Sequence, residues 1–268
     1  MIKINQWRCV AVLALLFAPL VVAQEDAATI LIAGDSTVQD VNPEKSAEVG
    51  WGQVLVELLA DTNNAVTIDN HAKGGRSTRT FIAEKRWQAL QEQVQPGDWV
   101  LIQFGHNDQA YDYPDRYTSP REYKSNLLTF VKEVKAKQGN AILITPVMRR
   151  YFDKNGHIRD AHGMYPELVK EVAKETATPL IDLTASSWQL YLQYGPEKSK
   201  TLFNYFEPGQ HPKHPDGVED DTHFSRAGAL EIAKLVVAEA QAKSIQPFGS
   251  YFQEVEIEGI HFTKGRGF

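Results

Sequence analysis

Five short runs of apolar and β-branched residues, each separated from the next by a stretch of helical periodicity, constrain this chain more than any other feature. The runs cover residues 29–33 (TILIA), 65–69, 98–104 (DWVLIQF), 140–145 (NAILIT) and 179–183. A strand with water on one face alternates apolar and polar residues, whereas one that is apolar throughout has both faces covered. Amphipathic stretches lie over residues 52–59, 80–93, 121–137, 166–175 and 225–243. In the third of these, Tyr123, Leu127, Phe130, Val131 and Val134 fall on one helical face, and Ser225 is placed to cap the last. The pattern predicts an α/β fold, a three-layer α/β/α sandwich around a five-stranded parallel sheet. In that architecture functional groups collect at the carboxyl ends of the strands.

The N-terminus is of a different kind. Lys3 and Arg8 precede an apolar run, residues 9–20, and Val21-Val22-Ala23 follows with small residues. This is the layout of a signal peptide over residues 1–23, cleaved after Ala23, on a run too short to span a bilayer. Removal would take away Cys9, the one cysteine, and with it disulfides, thiol catalysis and cysteine-based zinc sites. Loss of Lys3 and Arg8 takes the formal net charge from −6 to −8, a balance that favours neither nucleic acid nor an anionic membrane. The expected product is a secreted or periplasmic bacterial protein: one domain over residues 24–268, with residues 246–268 packed on it. That extension carries Tyr251, Phe252, Val255, Ile257, Ile260 and Phe262.

Polar clusters follow three of the strands: Gly34-Asp35-Ser36-Thr37, residues 70–77 (NHAKGGRS), and Gly105-His106-Asn107-Asp108. A fourth, Asp220-Asp221-Thr222-His223, precedes the last helix. Serine becomes a nucleophile when a base takes its proton and a third group fixes the tautomer of that base. Ser36, His223 and one of the two aspartates can supply those parts. Acyl transfer also needs donors aimed at the developing oxyanion; the Ser36 N–H, an N–H of the glycine turn and the Asn107 amide are candidates. His71, His157, His162, His211 and His214 have no assigned task. His211 and His214 read as an exposed loop, and no cluster has convincing metal spacing.

In order and spacing, these blocks resemble the SGNH (GDSL-like) hydrolases, and more closely their rhamnogalacturonan acetylesterase branch. The supporting residues are Gly34-Asp35-Ser36-Thr37, Gly50-Trp51-Gly52, Ala72-x-Gly74-Gly75-Arg76-Ser77 and Asp220-Asp221-Thr222-His223-Phe224-Ser225-x-x-Gly228. Thr37 stands where many lipase-like members have leucine. The resemblance implies a flavodoxin-like fold and acyl-enzyme chemistry without metal or cofactor. It makes Ser36 the nucleophile, His223 the base and Asp220 the orienting carboxylate, with Asp221 an immediate competitor that spacing alone does not exclude. Ser36, Gly75 and Asn107 would form the oxyanion hole, Gly75 matching better than Gly74, and Asp35 would shape the turn.

The implied substrate is an acetylated plant cell-wall polysaccharide, pectic rhamnogalacturonan first and acetylated xylan second. A lipase or thioesterase would use the same set with an apolar acyl groove, and a non-catalytic glycan binder would release no acetate. Loops 109–120 and 149–166 carry Tyr111, Tyr113, Tyr117, Tyr151, Phe152 and Tyr165, whose faces suit sugar rings. Arg79, Arg149 and Arg150 are candidates for uronate carboxylates; Arg79, Arg149 and Tyr151 are taken as substrate-binding residues.

Overall fold

The computed structural model describes residues 28–60 and 66–262. The expected signal peptide therefore lies outside the described residues. Strands β1 (Ala28–Gly34), β2 (Val66–Asn70), β3 (Trp99–Gln103), β4 (Asn140–Ile144) and β5 (Leu180–Ile181) form one parallel sheet in the order β2-β1-β3-β4-β5. The helices are α1 (Trp51–Val54), α2 (Thr78–Ala83), α3 (Arg86–Gln93), α4 (Pro120–Ala136), α5 (Tyr165–Thr176), α6 (Leu183–Lys198), α7 (Arg226–Ala242) and α8 (Phe248–Tyr251).

Successive side chains of a strand point to opposite faces, and the apolar runs fill both. Ile30 and Ile32, with Leu101, Ile142 and Ile144, pack against α1, α6 and α7. Leu31 and Ala33, with Val100, Ile102, Ala141 and Leu143, pack against α2 through α5. This is the expected three-layer sandwich. The chain leaves β1 toward one edge of the sheet and returns past it to β3. The crevice at the carboxyl ends of β1 and β3 is therefore the switch point of the topology, where open α/β sheets place their ligands. Ser36 follows β1 and residues 105–108 follow β3.

Several local expectations change. The helix read over residues 80–93 is two helices, α2 and α3, separated at Lys85, whose φ is +59°. The last strand shortens to Leu180–Ile181 because Asp182 caps α6, its carboxylate accepting from the Ala185 N–H. Helix α6 itself was not foreseen. Nor was the antiparallel hairpin of β6 (Phe203–Phe206) and β7 (Val218–Phe224), whose second strand carries residues 220–223 up to the start of α7. The described part of the C-terminal extension packs on the body. Ala60 N–H donates to Tyr251 O, Gln253 N–H to Leu58 O, and Phe248, Phe252 and Ile260 are buried.

Candidate active site

Beyond β1 the chain turns sharply. Val38 and Gln39 both donate their N–H groups to Asp35 O. The turn is tight enough that a Cβ on Gly34 would lie 2.8 Å from Val38 Cγ2 and 3.1 Å from Gln103 O. Asp35 is fully buried beneath it and accepts from Thr37 N–H (3.0 Å), Thr37 Oγ1 (2.8 Å) and His106 Nδ1 (3.2 Å). Burial alone would raise its pKa, but the neighbouring His106 and the bonds from Thr37 hold it below the ordinary carboxylate value. Behind it, Trp51 Nε1 donates to Gln103 Oε1 (2.9 Å) and Gln103 Nε2 to Thr37 Oγ1 (2.8 Å). Asp35 is thus consumed in building the turn that presents Ser36.

The hairpin brings His223 across to that turn. His223 Nε2 lies 3.0 Å from Ser36 Oγ, and its Nδ1 lies 2.8 Å from Asp220 Oδ2. The other oxygen of Asp220 accepts the backbone N–H groups of Thr222 (2.7 Å) and His223 (2.9 Å). Burial opposes the imidazolium, but the bond to and charge of Asp220, then the charge of Glu48, raise the His223 pKa above 6.5. Asp221, one residue on along β7, faces elsewhere. It pairs with the buried Arg150 at 2.7 Å and accepts from Tyr205 Oη. Regular alternation would put Asp221, not Asp220, on the face of His223. Asp220 reaches the ring because its carboxylate folds back onto the Thr222 and His223 N–H groups in an irregular stretch of the hairpin, while Asp221 is drawn to Arg150 and Tyr205.

The third wall is the glycine turn after β2. Gly75 has φ +77°, a left-handed conformation that favours glycine, and a Cβ there would meet nothing within 4 Å. The Gly74 N–H is already given to Gln39 Oε1 at 2.7 Å. Among the described residues the N–H groups of Ser36 and Gly75 donate to no one. Asn107 Nδ2 donates to Arg76 O (3.1 Å) and its Oδ1 accepts from Arg116 (3.2 Å), which fixes the sense of the amide. Next to it, Asp108 is fully buried. Its Oδ1 accepts from Thr78 N–H and Oγ1, its Oδ2 has no partner, and burial pushes its pKa up to about 7.

Ser36, Gly75, Asn107 and His223 share one open cleft of about 990 Å³, also lined by Glu48, Tyr111, Tyr113, Arg116, Arg149 and Tyr151. Tyr111 and Tyr113 are exposed. Arg149 is half-buried, donates to Thr222 Oγ1, and has no carboxylate within 4.0 Å among the described residues. Arg79 does not reach this cleft. It donates to Pro114 O (2.7 Å) and Tyr117 O (2.9 Å), so it ties down the loop that carries the tyrosines. Arg150 is likewise spent on Asp221. Tyr165 Oη bonds to Thr118 O, while His211 and His214 stack on Phe206, away from the cleft. Among the described residues, the one group of three possible metal ligands is Glu48, Asp220 and His223, and both ring nitrogens of that histidine are engaged in hydrogen bonds. Sequence reasoning missed Glu48, Gln39, Gln103 and Arg116. Only Glu48 had a signal, its place two residues before Gly50-Trp51-Gly52.

A model of the GDSL-like lipase/acylhydrolase family matches residues 32–230, most of the chain. Rhamnogalacturonan acetylesterase RhgT of Bacillus subtilis (strain 168) is 47% identical over 77% of this chain and 87% of that protein. The crystal structure of Bacillus subtilis YxiM superposes with a TM-score of 0.69 at 31% identity, over 82% of this chain and 57% of that one. The present chain thus spans little more than half of YxiM. A catalytic mutant of Axe2, an acetylxylan esterase from Geobacillus stearothermophilus, shares the fold, with a TM-score of 0.59 at 23% identity over 87% of this chain and 98% of that one. The chain belongs to the GDSL-like lipase/acylhydrolase family and is a carboxylic ester hydrolase of its rhamnogalacturonan acetylesterase branch.

Proposed function

We propose that this protein is an exported serine esterase that removes O-acetyl groups from pectic rhamnogalacturonan through an acetyl-enzyme on Ser36. The observation that carries the reading is the chain Ser36 Oγ–His223 Nε2–His223 Nδ1–Asp220, opening on a cleft with unengaged N–H donors. Ser36 Oγ attacks the acetyl carbonyl as its proton passes to His223 Nε2. The Ser36 and Gly75 N–H groups and the Asn107 amide receive the negative oxygen. Collapse breaks the bond to the sugar oxygen, which leaves with the proton from His223. Water then gives a proton to the same nitrogen and attacks the acetyl-serine; the bond to Oγ breaks, acetate leaves, and His223 returns the proton to Ser36 Oγ.

The cleft favours the pectic polymer. Gln39, Glu48, Asn107, Asp112 and Asp160 line it, a poor groove for a long acyl chain. Arg149 offers a guanidinium with no carboxylate of its own among the described residues, which suits a uronate beside the ester. Xylan gives it less to bind. Export is supported by the pattern of residues 1–23, and N-terminal sequencing of the secreted protein should begin at Gln24.

The test is acetate release from acetylated rhamnogalacturonan and acetylated xylan by the mature enzyme, Ser36→Ala and Arg149→Gln. The pectic polymer should react faster, Ser36→Ala should be inactive, and Arg149→Gln should raise KM on the uronate polymer alone. Equal rates on the two polymers, unchanged by Arg149→Gln, would refute the pectic reading and leave an acetylesterase of other specificity.

A further inference from the structure

The segment Gly50-Trp51-Gly52 is a sequence mark of the branch, yet none of its residues enters the chemistry above. Its role is mechanical. A Cβ on Gly50 would lie 2.3 Å from Gln39 O and 2.4 Å from Val38 C. The absence of a side chain therefore lets the segment pass directly against the turn that carries Ser36. Trp51 N–H donates to Thr37 O (2.9 Å) on that side, and Val49 N–H donates to Phe224 O (3.1 Å), next to His223, on the other. The segment straps the nucleophile turn to the histidine strand, and Glu48 is the residue at its head.

We infer that Glu48 is a second carboxylate for His223, a positioning residue that shares with Asp220 the work of holding the ring and its charge. Glu48 Oε1 lies 3.8 Å from His223 Nδ1, one ångström beyond Asp220 Oδ2. Both oxygens of Asp220 are committed, one to the ring and one to two backbone N–H groups. The Glu48 carboxylate accepts no hydrogen bond among the described residues, and only the backbone N–H of Glu48 is engaged, to Ser46 Oγ. Among the described residues it caps no helix and pairs with no arginine or lysine within 4.0 Å. What it faces is the edge of the imidazole that becomes positive when Ser36 is deprotonated.

The charges around that ring are Asp220 and Glu48, which favour the imidazolium, and Arg149, which opposes it; the buried His106 also feels its field. A ring that must be neutral to act as base gains activity as pH rises through its pKa. Removing a carboxylate lowers that pKa and moves the acid limb of activity to lower pH.

The inference rests on His223 as the base, and the test separates the two. The pH dependence of kcat/KM on a chromogenic acetate ester is measured for wild type, Glu48→Gln, Glu48→Asp, Asp220→Asn, the Glu48→Gln/Asp220→Asn double variant and His223→Ala. Glu48→Gln should shift the acid limb down by about 0.5–1 pH unit, and Glu48→Asp should restore part of the shift with the same thermal midpoint. The double variant should lose about tenfold more than the product of the single losses, because each carboxylate supports the ring when the other is gone. An unmoved acid limb in Glu48→Gln together with multiplicative losses overturns the inference. Substantial activity in His223→Ala overturns the reading of the base beneath it.

Discussion

The division of labour between Asp220 and Asp221 can be put to a sharp test with Asp220→Asn. In the native site one carboxylate oxygen accepts from His223 Nδ1 at 2.8 Å and the other from two backbone N–H groups at 2.7 and 2.9 Å. An amide has a single acceptor oxygen. Facing the backbone it keeps two bonds, facing the ring it keeps one; at about 1 kcal/mol per bond the backbone orientation wins by that amount. Glu48, 3.8 Å from Nδ1, is then the one carboxylate left to oppose a tautomer with the hydrogen on Nε2, which the NH₂ group pointing at Nδ1 favours. That tautomer has no lone pair for the Ser36 proton, and the charge that stabilised the imidazolium is also lost. Together these effects should lower kcat by about 10²–10⁴. The thermal midpoint should change little, because the turn keeps its backbone bonds. Asp221→Asn should do the reverse, leaving kcat near the wild-type value while weakening the buried contacts of Arg150 and Tyr205, a loss of about 1–3 kcal/mol in urea unfolding. Steady-state kinetics on an acetate ester and unfolding of both variants decide the matter. A nearly fully active Asp220→Asn beside an inactive Asp221→Asn would refute the reasoning.

Asn107→Ala should reduce kcat by about 10²–10³ through loss of one oxyanion donor, with KM on a small ester nearly unchanged. An effect confined to KM would remove Asn107 from that role. Asp108, with a pKa of about 7 against an ordinary 3.8, is protonated in the folded state where the unfolded chain is ionised. Its contribution to stability is full below pH 3.8 and lost as pH rises to about 7, at up to about 1.4 kcal/mol per pH unit. The stability difference between wild type and Asp108→Asn should therefore decline between pH 4 and 7 and be flat above, and a pH-independent difference would argue against it. Gly228→Ala would place a Cβ 1.8 Å from Leu202 O, and α7 must shift to admit it. Its unfolding free energy should fall by about 3 kcal/mol, and an unchanged thermal midpoint would contradict that packing.

How much of this was legible beforehand can be seen residue by residue. Leu31, Ile32, Val100, Leu101, Ile142 and Leu143 read as strand because a run apolar on both faces leaves no room for solvent on either. Their alternation between the two cores follows from the period of the strand. Ser225 is a helix cap by its chemistry, and the structure finds its oxygen accepting from the Gly228 N–H. The α2–α3 break at Lys85 was illegible because that residue carries no mark of a positive φ. Helix α6 was missed because its start, after Asp182, is rich in threonine and serine, and its moment is blurred by apolar residues all round.

The sequence by itself determined the layers of the fold, the order of the blocks and the residue types that can perform acyl transfer, because these depend on periodicity and on the chemistry of single side chains. Only the tertiary structure decided which aspartate pairs with His223, since that depends on Arg150 and Tyr205, distant in sequence, drawing Asp221 away while Asp220 turns back onto the Thr222 and His223 N–H groups. It also decided that Gly75 rather than Gly74 keeps a free N–H, because Gln39 comes from another turn to take the other one. In the same way it removed Arg79 from the cleft, left Arg149 in it, and set Glu48 beside the His223 ring. A partner distant in sequence leaves no periodic trace, and each of these outcomes was fixed by such a partner.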